Sequence, residues 1–124
     1  MIQLKRAYDP PAAADGKRIL VERLWPRGMR KEALQLDGWV KDAAPSTELR
    51  QWFHADRAQW SEFRRRYLSE LESNGEACAG LLDGACSGTL TLLYAAHDTE
   101  HNSAVVLKEF LERKRAQHGG RVAR

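Results

Sequence analysis

Two short stretches of this sequence carry the residue types that bind anions and move protons. The first is Arg23-Leu24-Trp25-Pro26-Arg27-Gly28, and the second is His97-Asp98-Thr99-Glu100-His101-Asn102. Guanidinium forks match the oxygens of carboxylates and phosphates, so Arg23 and Arg27 are candidates to clamp an anion. Trp25 offers a flat apolar wall for a base or another ring. Asp98 or His101 could serve as general acid or base if chemistry occurs. Free N–H groups around His101 to Ser103, where a helix begins, would favour negative charge there. The expected set is therefore Arg23, Trp25, Arg27 and Asn102 for binding, with Asp98 and His101 for proton transfer.

Each residue also has a structural reading, and both stay open at this point. Arg23 can pair with Glu22, Asp37 or Asp98 to tie loops together. Trp25 and Trp39 can be core, and Pro26-Arg27-Gly28 can be only a turn. Asp98 or Asn102 can cap the last helix.

Other chemistry finds less support. His97 and His101 stand four apart, but the segment straddles a strand end and a helix start, and no further Cys or His cluster completes a ligand set. No metal is expected. Cys78 and Cys86 lack basic neighbours and form no CxxC pair, so both read as small buried apolar groups. His54 and His118 read as surface residues, and Arg64-Arg65-Arg66 as a solvated helix face. There is no P-loop, GxGxxG or Ser-His-Asp order, so no cofactor is expected.

Composition sets the frame. The chain has 124 residues, 43% hydrophobic and 30% charged, with four Trp, three Tyr and three Phe. That suits one globular domain over residues 1–124. No apolar run approaches the roughly 20 residues that span a bilayer, and the N-terminus lacks the pattern of a secretory signal, so a cytosolic protein is expected. Twenty basic residues against 17 acidic ones leave a net charge of +3. The excess is small, and nucleic acid is disfavoured as a partner.

The elements that must position the two stretches follow from pattern. Ile2–Arg6 alternates as a first strand, and Arg18–Trp25, with its Ile19-Leu20-Val21 centre, reads as a second. Leu34–Asp37 is a candidate third strand. Ser46 caps a helix with Leu49, Trp52 and Phe53 on its stripe, and Asp56, with Gln59 three residues on, caps another. Trp60, Phe63, Tyr67 and Leu71 recur at helical spacing along that second helix, with Arg64, Arg65 and Glu70 outward. A shorter helix spans Glu76–Asp83. Thr89–Ala96 is the clearest strand, and the last helix runs from Asn102 or Ser103 to Gln117, where Gly119-Gly120 end it. Strands alternating with helices predict a layered α/β sheet with at least one parallel strand pair and helices packed on its faces. If the second strand and Thr89–Ala96 are parallel neighbours, the two reactive stretches face each other beyond their carboxyl ends.

The runs Leu24-Trp25-Pro26-Arg27-Gly28, Ala44-Pro45-Ser46-Thr47-Glu48-Leu49-Arg50 and Leu92-Leu93-Tyr94-Ala95-Ala96, with Asp98, Glu100, His101 and Asn102 in order, carry a resemblance. The chain resembles, from Ile2 to Glu112, the YeaO-like family of small bacterial proteins. That family sits in a larger domain-of-unknown-function group, so the resemblance implies a fold and a site but no reaction. In the larger group the last helix often follows an acidic loop ending in Cys-His-Arg. Here Asn102, Ser103 and Ala104 stand at those positions, and chemistry that needs the cysteine does not carry over.

Three functions remain open from the sequence. One is a small enzyme or binding protein for an anionic, phosphate- or nucleotide-like compound. Another is a nucleic-acid-binding or regulatory module, with the helices Ser46–Ala55 and Asp56–Glu72 imitating a helix-turn-helix and Arg57, Arg64 and Arg65 on phosphates. The third is an interaction protein with no catalytic site.

Overall fold

Leu90-Thr91-Leu92-Leu93-Tyr94 shows no polar alternation, and all five residues are buried. A strand apolar on both sides belongs inside a sheet that is covered on both faces. In the computed structural model, which describes the backbone of residues 1–122 and the side chains of residues 1–117, this is strand β4 (Leu90–Tyr94). It lies between β1 (Ile2–Arg6) and β2 (Lys17–Leu20), and β3 (Gly38–Trp39) adds an outer edge, in the order β1-β4-β2-β3. Every pairing is parallel, with Leu4 opposite Leu92 and Ile19 opposite Leu92 on the other side. This is the expected α/β sheet, and the second strand does lie beside the strong later one.

The two faces differ. Ile19, Val21, Leu90, Leu92 and Tyr94 point into the larger core, where they meet α2 (Thr47–Ala55), α3 (Trp60–Glu72), α4 (Gly75–Cys86) and α5 (Ser103–Val122). Leu20 and Leu93 point the other way, into a thin layer with Ala7 and Leu34 under the single turn α1 (Lys31–Leu34). That thin layer is pinned by polar bonds. Buried Arg18 donates to the carbonyls of Leu34 and Gln35 and pairs with buried Asp15, which Lys5 also reaches at 3.1 Å. Burial alone would raise the Asp15 carboxyl, but the Ala12 N–H, Lys5 and Arg18 outweigh it and hold the group below its ordinary value. Gly16 enters β2 at φ +62°, and a Cβ there would overlap the Thr89 carbonyl, so the turn requires glycine.

Several boundaries differ from the sequence reading. The second strand ends at Leu20, because the chain peels away once Val21 has donated to the Leu93 carbonyl at 3.2 Å. The third strand is Gly38–Trp39 and not Leu34–Asp37: Leu34 belongs to α1, and Gln35 adopts φ +48°, which breaks extension. Ser46 caps α2 as expected, accepting from the Leu49 N–H at 3.2 Å. A 3-10 turn at Arg57–Gln59 precedes α3, and α4 is longer than expected at both ends. Glu70 does not point outward; it accepts from the Ser46 N–H and hydroxyl and ties α3 to the cap of α2. Cys78 is buried, whereas Cys86, the last residue of α4, is exposed. Helix α5 continues past Gly119-Gly120, since interior glycine costs a helix only about 1 kcal/mol relative to alanine and does not forbid it. The His118 side chain lies outside the described residues.

Candidate functional site

Because β2 and β4 are parallel neighbours, the chain leaves both at the same edge of the sheet. A cleft of about 330 Å³ opens there, and each wall is a built turn. On one side Pro26–Met29 closes a turn through Met29 N–H to the Pro26 carbonyl at 3.3 Å, with Gly28 at φ +80°. Glycine at the third position supplies the positive φ that such a turn needs. The Trp25 indole N–H donates to the Met29 carbonyl at 2.8 Å, and the Tyr8 hydroxyl donates to the Arg27 carbonyl at 3.0 Å. The indole is thereby fixed and Arg27 is held at the turn's tip.

On the other side, Asp98 accepts from the N–H groups of His101 and Glu100, both at 2.9 Å. These two bonds, His101 first, hold its carboxyl below the usual range. Asn102 is buried; its amide donates to the Asp98 carbonyl at 2.8 Å and its Oδ1 accepts from the Val105 N–H at 3.0 Å. Asn102 thus caps α5, and among the described residues the first-turn N–H groups of Ser103 and Ala104 have no hydrogen-bond partner. The His101 ring sits edge-on to Trp60 at 4.9 Å between centroids.

Of the residues expected from sequence, Trp25, Arg27, His101 and Asn102 line this one cleft. Arg23 and Asp98 are not among its lining. Arg23 donates to the Pro45 carbonyl at 2.7 Å and lies 3.8 Å from Asp42, so it ties the second strand's exit to the segment before α2. Asp98 spends its carboxylate on the turn and stands 3.6 Å from the His101 Nδ1.

Sequence reading missed three contributors: Glu22, Arg50 and, as a cleft residue, Arg57. Glu22 follows β2, and its Oε1 accepts from the Ala95 N–H at 3.1 Å. Burial raises the Glu22 carboxyl, while the Ala95 N–H and the Arg50 charge draw it back. Arg50 lies on α2, and its Nε is buried without a hydrogen-bond partner among the described residues. Arg57 spreads over the Phe53 ring at 5.9 Å. A signal for them did exist. Arg50, Phe53 and His54 recur at i, i+3 and i+4, the spacing of one helical face; all three line the cleft, and Arg57 joins them from the 3-10 turn beyond the end of α2.

Three guanidiniums converge on the cleft. Arg27, Arg50 and Arg57 line it, and none of the three forms an ion pair among the described residues. One carboxylate, Glu22, faces them. By contrast Arg64 pairs with Glu109, and Arg65 and Arg66 both pair with Glu62. Tyr8 and Leu24, large apolar residues that remain exposed, also belong to the cleft's lining. Among the described residues no three or more His, Cys, Asp or Glu side chains gather as a metal site would require, and no helix is long and apolar enough to cross a membrane.

A family model described as the inactive DUF488-N3 subclade matches residues 1–123. The chain is 49% identical over 110 residues to the uncharacterised protein YeaO of Escherichia coli (strain K12), covering 89% of this chain and 96% of that one. It is 36% identical over 110 residues to the uncharacterised protein Rv3073c of Mycobacterium tuberculosis (strain ATCC 25618 / H37Rv), covering 89% and 92%. No solved structure matches it significantly.

Proposed function

This chain belongs to the inactive DUF488-N3 subclade, and from that premise we propose that its cleft binds a small anionic molecule of phosphate- or nucleotide-like chemistry without turning it over. The observation that supports this most is the group of three guanidiniums without ion-pair partners, Arg27, Arg50 and Arg57, lining one cleft. Arg27 and Arg57 are exposed and Arg50 is half-buried, and none of them has an ion-pair partner among the described residues. An anion in the cleft could take charge-assisted hydrogen bonds from their terminal nitrogens. The unpartnered N–H groups at the start of α5 would add to the attraction.

Binding without turnover suits the remaining residues. Asp98 is committed to holding its turn and His101 packs on Trp60, so in this reading they position the wall of the cleft. The absence of Cys-His-Arg at Asn102-Ser103-Ala104 agrees with a subclade described as inactive. The test is isothermal titration with inorganic phosphate and ribose 5-phosphate. Arg50→Ala should weaken both by roughly tenfold to a hundredfold, the value of a charged hydrogen bond. Exposed Arg27→Ala should cost about twofold to fivefold. Absence of heat and of thermal stabilisation with either probe would refute anion binding.

A further inference from the structure

Glu22 and Arg50 end their polar atoms in the same cleft, and each has capacity left over. One Glu22 oxygen is engaged by the Ala95 N–H, while the other, Oε2, accepts no hydrogen bond among the described residues. The Arg50 side chain donates no hydrogen bond among the described residues; its Nε is closed off from solvent, so its terminal nitrogens are the donors a ligand can reach. The two side chains feel each other's charge but are not hydrogen-bonded. The cleft therefore offers an acceptor and a donor together, and a lone anion satisfies only the donor. We propose that the cleft selects a nucleoside monophosphate whose base presents an N–H beside an acceptor, with Glu22 taking the N–H and Arg50 the acceptor. This rests on the anion-binding reading and narrows it.

Size and surface agree with that class. A volume of about 330 Å³ lies near the lower end of the range of roughly 300–1,000 Å³ for small-molecule pockets, the range in which a single nucleotide falls. Trp25, its indole locked by the Met29 carbonyl and packed against Trp39 at 5.4 Å between centroids, is the indole among the cleft's lining residues against which a base would pack. Arg27 and Arg57 remain for the phosphate once Arg50 is engaged by the base. Specificity of this kind is strong, because a ligand lacking the matching edge leaves buried polar groups unpaired.

The experiment compares guanosine 5′-monophosphate with ribose 5-phosphate by isothermal titration at pH 8, on the natural chain and on Glu22→Gln. Guanine presents N–H groups beside a carbonyl oxygen; the sugar phosphate has no such edge. In the natural chain the nucleotide should bind at least about tenfold tighter. The glutamine variant is isosteric, and its Oε1 can still accept from the Ala95 N–H, which turns the NH₂ toward the ligand. A donor would then meet a donor. The nucleotide should weaken about tenfold, while ribose 5-phosphate, relieved of a nearby negative charge, should stay equal or tighten. A disrupted fold would weaken both ligands, so the opposite movements are the signature. Equal affinity of the two ligands in the natural chain, or the same change for both in Glu22→Gln, would overturn the proposal while leaving anion binding intact. If ribose 5-phosphate also fails to bind, anion binding falls as well.

Discussion

Arginine is used in opposite ways in two regions of this molecule. On α3, Arg64, Arg65 and Arg66 form a run of three positive charges that looks in sequence like a nucleic-acid patch, yet each is ion-paired, Arg64 with Glu109 and the other two with Glu62. At the carboxyl edge of the sheet, Arg27, Arg50 and Arg57 are scattered in sequence and meet in a single cleft without ion-pair partners. Density of charge along a chain therefore says little about where charge is available. What matters is which acids the fold brings within reach, and a helix supplies them at i−3 and i−4 for its own arginines. Arg18 makes a third case: it is buried and has partners on every side.

The contrast yields experiments that differ in size. The largest effect belongs to Arg18→Ala, which takes one partner from buried Asp15, leaving it Lys5 and the Ala12 N–H, and strands the carbonyls of Leu34 and Gln35 inside the thin layer. Removing one partner of a buried pair costs about 3 kcal/mol or more, so urea unfolding should show a midpoint shift of that size. A loss comparable to a surface substitution would mean that the thin layer does not depend on its polar pins. Next comes acid. The Asp15 carboxyl is held below its ordinary 3.8, so the folded chain holds its proton less tightly than the unfolded one. The stability this contributes is complete above 3.8 and drains away as pH falls through the lowered value. Asp15→Asn should lose stability at neutral pH and show a flatter decline below 3.8 than the natural chain, read by thermal melts across that range. An identical acid limb in both would remove Asp15 from the account.

How much of this was legible depended on whether the cause was local. Ile2–Arg6 and the core of Thr89–Ala96 were legible because alternation and an unbroken apolar run each specify one kind of strand environment. Ser46 and Asn102 were legible as caps because their side chains act within three residues. The third strand was misplaced because Leu34 is buried by tertiary packing under the sheet, which looks the same in sequence as burial within it. In the cleft, Trp25, Arg27, His101 and Asn102 were found by the rule that ligands gather beyond parallel strand ends. Arg50 came from α2 and Arg57 from the 3-10 turn that follows it, elements the rule does not mention. Glu22 was read only as a partner for Arg23, and the fold gave it the Ala95 N–H at 3.1 Å, from 73 residues away.

The smallest expected effect is the control that gives the comparison its meaning. Arg65 is exposed, and its hydrogen bonds to Glu62, with that of Arg66, pull that carboxyl down to about 2. Such a shift describes a strong local preference, but on an open surface salt and water screen it. Arg65→Ala leaves Glu62 bonded to Arg66 at 2.7 Å, and Arg66 keeps its place over the Trp52 ring at 4.3 Å. No buried group is stranded, and no wall of the cleft is touched. Melting temperature and ribose 5-phosphate affinity should therefore match the natural chain, the affinity within about twofold. Should Arg65→Ala weaken the ligand as much as Arg50→Ala does, paired and unpaired arginines would be equivalent toward anions. Binding would then reflect the overall positive charge of the chain, and the cleft would lose its claim to be the site.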